Sequence, residues 1–223
     1  TGPTTYALVQ TAAYAAGPGD VVKVAGTCVG GGERAGLRQQ VYLDKPLTVR
    51  GGYTTTNWIT PDPAANPTTL DALGKGRVFY VTGAISLTIE GLHIVGGDAA
   101  GLGPFAWGRT WNAGNGIYVV SATATISNNW IYNNTYSDEY TLGGGVFLQS
   151  SDSTVFGNTI FSNTARYGGG ILSYFSVATL SNNTILSNTV LHDGGGVCLW
   201  DTANALTGNI IREFAGLRRG SGR

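Results

Sequence analysis

Residues 143–193 read GGGVFLQSSDSTVFGNTIFSNTARYGGGILSYFSVATLSNNTILSNTVLHD, which is one unit written twice. In each copy a glycine triplet precedes a short apolar segment, and two asparagines five residues apart follow. The pattern extends in both directions, with a glycine at the third triplet position at Gly116, Gly145, Gly170 and Gly196, spaced by 29, 25 and 26 residues; residues 114–116 read Gly-Asn-Gly. Since a constant core with variation in one turn is typical of stacked repeats, this stretch predicts a solenoid.

The spacing of apolar residues inside a unit indicates strands rather than helices. Ile117 and Val119 alternate with period two, as do Val146 and Leu148. Gly, Asn, Ser and Thr separate these short segments, as tight turns require. We therefore expect a coil of three short strands, each pairing in parallel with its copy one coil further along, at a rise of ~4.8 Å per coil.

One asparagine column has a predicted structural role. At a tight corner one residue often takes a left-handed conformation, which Asn tolerates, and stacked amides can hydrogen-bond to one another. We interpret this column as an inward ladder, with a metal or sugar site as the alternative. Its members are Asn129, Asn158, Asn183 and Asn209.

The two quoted units resemble the right-handed parallel β-helix repeats of the pectin-lyase-like superfamily. Within that group they are similar to non-catalytic bacterial surface repeats, including the polymorphic outer-membrane-protein type. The resemblance is close over residues 114–209 and loose over 21–211. It implies an all-β, single-stranded right-handed β-helix, but no particular activity, because the fold carries many functions.

The resemblance and the pattern together predict three parts. Residues 1–20 form a cap, in which an amphipathic helix over 4–16 covers the first coil. Residues 21–211 form about seven coils, with excursions at 54–69, which contains three prolines, and at 98–113. Residues 212–223 are a basic tail that breaks the repeat.

Composition excludes several classes of protein. The chain has 223 residues with 12% charged residues and zero formal net charge, which gives no electrostatic basis for binding nucleic acid. No apolar run approaches the roughly 20 residues of a transmembrane segment. The chain starts at Thr1 and contains no methionine, so we expect a secreted or cell-surface protein whose signal segment has been removed.

Strand alternation also predicts an apolar strip on the outside of the solenoid. If Ile117 and Val119 face inward, then Tyr118 faces outward, and the same reasoning applies to the later strands. Such a strip indicates either a partner surface or cover by a loop. The predicted strip consists of Tyr118, Phe147, Leu172, Tyr132, Phe161 and Leu186.

The second excursion and the variable turns supply a weaker set of candidate glycan contacts. Aromatic residues of the second excursion could stack on sugar rings, or could pack on the solenoid flank. Acidic residues of the turns could hold a cation or a glycan, or could form a solvated row of charges. The set comprises Phe105, Trp107, Trp111, Asp138, Glu139 and Asp193.

No motif for catalysis, a cofactor or a metal is recognisable, and Ca²⁺ near the acidic turns has no motif to support it. Cys28 and Cys198 lie at opposite ends of the predicted stack, too far apart for a disulfide. We therefore expect an extracellular structural or interaction module that self-associates, into a homo-oligomer or filament, or docks a partner. The alternative is a glycan-binding or polysaccharide-cleaving β-helix.

Overall fold

The computed structural model describes residues 4–102, 105, 106, 109, 110, 112–137, 140–201 and 203–212. In these residues the chain winds into a parallel β-helix with three sheets of seven strands. Each coil contributes one strand to each sheet, except that the first coil has no strand in the first sheet, where an antiparallel strand completes the seven. The predicted fold class and the expected seven coils are confirmed.

The three sheets are named here in the order in which a glycine-triplet unit visits them. The first sheet consists of Gly32–Arg34, Leu37–Leu43, Arg77–Thr82, Ile117–Val120, Val146–Gln149, Ile171–Tyr174 and Val197–Trp200. The second consists of Val21–Ala25, Thr48–Tyr53, Ser86–Glu90, Thr123–Ser127, Thr154–Phe156, Thr179–Ser181 and Ala205–Thr207. The third consists of Thr27–Val29, Thr69–Asp71, His93–Val95, Trp130–Tyr132, Thr159–Phe161, Thr184–Leu186 and Ile210–Arg212.

Shorter strands occupy the turns between the third and the first sheet. Two pairs of them stack in parallel from coil to coil, and one pair forms a hairpin inside the second excursion. The turns predicted to be variable loops therefore continue the stacking of the coils. These strands are Phe105–Ala106, Arg109–Thr110, Asn112–Ala113, Thr141–Leu142, Thr164–Ala165 and Thr189–Val190.

Equivalent residues of successive units pair directly. Ile117 pairs with Val146, Val146 with Ile171, and Ile171 with Val197. The same register holds in the third sheet, where the isoleucine column starts at Ile94 and continues through Ile131. Because these columns face inward and are almost completely buried, the apolar side chains of all three sheets form one continuous core.

The predicted asparagine ladder lies at the corner between the second and third sheets. The side-chain oxygen of Asn158 accepts hydrogen bonds from both the backbone N–H and the amide of Asn129, at 2.9 and 3.1 Å. The Asn158 amide in turn donates to the side-chain oxygen of Asn183 at 2.9 Å and to the carbonyl of Ile126 at 2.8 Å. The ladder continues to Asn209, so each amide supplies an acceptor that the turning backbone lacks.

The sequence pattern predicted that the ladder asparagine itself takes the left-handed conformation at this corner. In the structure the residue before it takes that conformation. Asn128 has φ of 54° and Asn182 of 53°, and a glycine takes this place before Asn158. The ladder residue itself is thereby turned inward, where its side chain can reach the next coil. Asn or Gly is favoured at the preceding position because other side chains are strained there.

A second asparagine ladder, not predicted from the sequence, lies just after the strands of the third sheet, where the chain turns towards the first sheet. Asn134 donates its amide to Asn163 at 2.9 Å, and Asn163 donates to Asn188 at 3.0 Å. All three side chains are buried. The two ladders therefore fix both ends of the third sheet.

The predicted cap is present, although its helix is shorter than expected. It spans Val9–Ala15 rather than residues 4–16, and Leu8 before it is extended and makes no side-chain cap. Val9 and Ala13 are buried against the first coils as part of the main core. Pro18 follows the helix closely and cannot continue it.

Removing one ladder amide should destabilise the fold. Asn158→Ala leaves the buried N–H of Asn129 and the carbonyl of Ile126 without their partner, so we expect a loss of ~1–3 kcal/mol in the free energy of unfolding. Chemical denaturation followed by circular dichroism measures it. The control is Asn66→Ala, because the Asn66 side chain makes no hydrogen bond within the described residues. Equal stability of the two variants would contradict the structural role of the ladder.

Candidate functional site

The outward columns of the first and third sheets differ in what covers them. In the first sheet Tyr118, Phe147 and Leu172 are at most 1% exposed. They form a second, smaller core with Ala113 and Leu142, which belong to the turn strands beside the sheet. The prediction that these three residues face a partner is therefore wrong, because the chain's own turns cover them.

Arg77 holds the second excursion onto this column. Its guanidinium is fully buried and donates hydrogen bonds to the carbonyls of Ala113 at 2.6 Å and Leu102 at 3.0 Å. It also lies over the ring of Tyr118 at 5.2 Å. Burial lowers the pKa of Arg77 to about 10, so the side chain stays charged at neutral pH. Through these two charge-assisted hydrogen bonds, Arg77 fixes the second excursion against the first sheet.

The outward column of the third sheet is left open by the described residues. Trp130 is 49% exposed, and Tyr132, Phe161 and Leu186 are partly exposed. These side chains and that of His93 lie on neighbouring strands of the third sheet, because Trp130 pairs with His93 and Tyr132 pairs with Phe161. We call His93, Trp130, Tyr132, Phe161 and Leu186 the aromatic face.

The rings of the aromatic face are ordered by mutual stacking. The imidazole of His93 and the indole of Trp130 are parallel within 3°, with their centroids 5.3 Å apart. Tyr132 and Phe161 stack at 4.9 Å and 8°, and Phe161 also meets Trp130 edge-on at 6.0 Å. Contacts of this kind hold the rings in place before anything binds, which reduces the entropy lost on binding.

Three of the six predicted strip residues thus remain at the surface, and the structure adds His93 and Trp130 to them. Both additions could have been found by the alternation that identified Tyr132, because Trp130 stands two residues before it on the same strand. Threonines take the place of Trp130 in the next two coils, which interrupts the aromatic column in the sequence.

The other candidate glycan contacts are not assembled into a site by the described residues. Trp107, Trp111, Asp138 and Glu139 lie outside the described residues, and the side chain of Phe105 does as well. Asp193 is exposed, and Arg166, in the turn one coil earlier, lies over the ring of Tyr140 at 5.2 Å.

Asp98 and Asp193, two acidic residues of these turns that the structure describes, do not form a common site. The Asp98 carboxylate accepts a hydrogen bond from the backbone of Ala100 at 2.9 Å, as in a local turn. Asp193 belongs to a turn three coils further along, which is about 14 Å away at the strand spacing. Within the described part of the chain, no group of three or more His, Cys, Asp or Glu side chains could hold a metal ion.

The two cysteines are free in the structure and neither is an activated nucleophile. Burial raises the pKa of Cys28. Burial, reinforced by the negative charge of Asp193, raises the pKa of Cys198 to about 11. Both thiols are therefore protonated at neutral pH, and both pack against the apolar cores.

A groove of about 760 Å³ lies between the cap helix and the first coil. Its lining includes Leu8 and Val9 of the cap, Val22 and Val24 of the first coil and Ile59 of the first excursion. The lining is mostly apolar, and Asp20 and Lys23 are its charged residues, so the groove shows no recognisable catalytic or metal-binding group.

The partly buried imidazole in the aromatic face should make folding sensitive to mild acid. Burial lowers the pKa of His93 below its usual value of 6.5, so the unfolded chain takes up this proton first as the pH falls. The contribution of His93 is present above about pH 6.5 and is lost as the pH falls through the lower pKa of the folded state.

Unfolding measured at about pH 7.5 and pH 5.5 checks this dependence. Wild type should lose more stability between the two values than His93→Gln does. His192→Gln keeps His93 and serves as the control, so it should behave as wild type does. The same loss in His93→Gln as in wild type would show that His93 is not responsible.

Comparison with known proteins agrees with the fold. A family model described as right handed beta helix region matches residues 78–217, more than half of the chain. No curated protein and no solved structure gives a significant match. In the described residues, no helix has the length and apolar character needed to cross a membrane. On the repeat, the three parallel sheets and this match, the chain belongs to the right-handed β-helix family.

Proposed function

We propose that this chain is a non-catalytic interaction module of the cell exterior, secreted or at the cell surface, whose working surface is the aromatic face. The observation that carries the proposal is the contrast between the two outward columns. On the first sheet the chain covers the outward aromatic residues with its own turns. The aromatic face of the third sheet keeps its rings at the surface.

Leaving these side chains in contact with water costs free energy, at about 25 cal/mol for each Å² of apolar surface that remains unburied. Apolar groups clustered on one stretch of surface indicate a binding site, whereas single exposed apolar residues need no explanation. The location outside the cell is supported by the resemblance of the repeats to bacterial surface repeats.

The dimensions of the face favour a narrow ligand over a second globular protein. Strands of three residues make the aromatic face about 10 Å wide, and the four strands that carry it extend about 14 Å along the solenoid axis. The resulting area is on the order of 150 Å², whereas a stable protein–protein interface needs about 800 Å² per partner. An extended chain lying along the solenoid axis fits this shape better.

The role of the face is tested on the envelope of the source cells. A labelled wild-type protein should bind isolated envelopes, and the variant Trp130→Ala with Phe161→Ala should lose most of that binding while keeping its circular dichroism spectrum. The matched control is Phe156→Ala, which removes a 36% exposed aromatic residue from the second sheet of the same coil as Phe161. Unchanged binding by the double variant would exclude the aromatic face.

A second candidate function is self-association through the last coil. Leu206 and Ile211 occupy columns in which Leu180 and Ile185 are fully buried one coil earlier, yet they are 43% and 40% exposed. Strand edges with open backbone groups accompany this apolar end in the described residues. A coil of a second copy would cover both, and a head-to-tail contact of this kind could continue into a filament.

Multi-angle light scattering over a range of concentrations tests this association. We expect the mass of the wild type to rise with concentration, and Leu206→Lys to remain a monomer because it places a charge in the contact. The control is Thr207→Lys. Because the Thr207 side chain points outward on the same strand, this variant should associate as the wild type does. A wild type that is monomeric at all concentrations contradicts this second function.

A further inference from the structure

We infer that the open edge of the first coil is the surface on which the last coil of a second copy stacks, in the same register as the coils within one chain. This inference rests on the second candidate function, self-association through the last coil, and names the partner surface and the alignment of the two copies. It follows from an incomplete cap, from matching backbone groups at the two ends, and from the groove beside the first coil.

The cap closes one of the three sheets. Gln10 of the cap helix accepts a hydrogen bond from the backbone N–H of Tyr42 at 2.5 Å and donates one to its carbonyl at 3.3 Å. The antiparallel strand Gly32–Arg34 pairs with another part of the same edge. In the described residues, strands Val21–Ala25 and Thr27–Val29 have a neighbour on one side only, so the second and third sheets start with open edges.

The open edge of the first coil presents backbone groups in a regular pattern, because alternate residues of a strand bond to the same neighbour. The carbonyl of Asp20 accepts the N–H of Thr48 at 2.9 Å, so Val21 and Lys23 direct their backbone groups away from the sheet. These groups have no partner among the described residues. The corresponding residues of the third sheet are Thr27 and Val29.

The last coil ends in the complementary pattern. The backbone N–H groups of Ala205 and Ile210 bond back to the preceding coil, at 2.9 and 2.8 Å. Leu206 and Ile211 therefore direct their own N–H and C=O groups away from the stack. The last coil thus offers one free donor and one free acceptor on each of the two sheets that are open at the other end.

The register within the chain aligns these groups. Leu206 belongs to the inward column that Val22 starts, and Ile211 belongs to the inward column that Cys28 starts. When the same columns continue into a second copy, each free N–H of one edge faces a free C=O of the other. The contact then adds a coil boundary like those inside the chain.

Apolar surface matches at the same two positions. Leu206 and Ile211 are exposed although they continue inward columns. At the other end, Val22 and Cys28 line the groove of about 760 Å³ between the cap helix and the first coil. The groove provides space for the two apolar side chains of the second copy, and their burial there removes apolar surface from water.

The charged side chain on the open edge does not block it. Lysine on an edge strand often opposes pairing with another chain. The ammonium of Lys23 is instead held on the first excursion, where it donates to the carbonyl of Trp58 at 2.6 Å and lies 5.3 Å from the centre of the Tyr53 ring. The backbone of Lys23 is thereby left open to a second strand.

Two variants that block opposite ends test the inference by multi-angle light scattering. Lys23→Pro removes a donor from the open edge and no bond from the sheet, and proline is tolerated at such positions. Leu206→Lys blocks the last coil. We expect each variant alone to stay monomeric, and an equimolar mixture to form dimers and nothing larger, because one intact first coil then meets one intact last coil.

Lys23→Ala keeps the N–H and measures the effect of losing the side chain alone, so proline should reduce association more than alanine does. Circular dichroism establishes that each variant is folded.

A disulfide tests the register directly. Ile211→Cys places a thiol one strand spacing from Cys28 of the next copy, with about 4.8 Å between the Cα atoms, which is within disulfide range. In a Cys198→Ser background, mild oxidation should give a ladder of dimers, trimers and larger species on a non-reducing gel. The further change Cys28→Ser should abolish this ladder.

The outcomes separate the inference from the function on which it rests. A wild type that stays monomeric removes both. If Lys23→Pro associates as the wild type does while Leu206→Lys does not, self-association stands and the inference is wrong, because two last coils then meet each other. Cross-linking that stops at dimers and survives Cys28→Ser leads to the same conclusion, and a mixture of the two blocked variants that stays monomeric also overturns the inference.

Discussion

An amide oxygen that accepts two hydrogen bonds from the coil before it is the contact on which this structure depends. Between the second and third sheets the backbone must turn, and a turning backbone cannot keep the ladder of hydrogen bonds that strands provide. The side chain of Asn158 replaces the missing acceptor for Asn129 and also satisfies the carbonyl of Ile126. Corners become as well bonded as strands, so the coils can be short and the chain can turn sharply.

Once the corners are fixed, the third sheet has little freedom. Asparagine ladders at both ends of its strands set the register of these strands, which are three residues long. Each residue therefore pairs with the equivalent residue of the next coil. The rings of Trp130, Tyr132 and Phe161 are consequently held at the spacing of the strands. The precision of the aromatic face comes from buried amides that no ligand would touch.

Much of this arrangement could be predicted from the sequence, because it repeats. The unit length, the inward columns and the ladder through Asn129 all follow from aligning glycine with glycine. Tyr118 shows where this reasoning ends, since alternation placed it outward without deciding between a partner surface and cover by a loop, and the structure buries it under Ala113 and Leu142. The cover comes from turns, and turns are the part of each unit whose length and sequence vary. Trp130 was missed for a related reason, because threonines follow it in its own column.

The pairing of each coil with its neighbours also determines how such a chain can change in length. Coils contact mainly the one before and the one after, so the free energy of the stack is close to a sum over neighbouring pairs. Removing a segment from one glycine triplet to the next would rejoin equivalent residues and leave both ladders one rung shorter. Removing a single residue from a strand would instead turn its apolar side chains outward. We therefore expect duplication or loss of whole units to be tolerated, so that the length of the aromatic face can vary by one coil at a time.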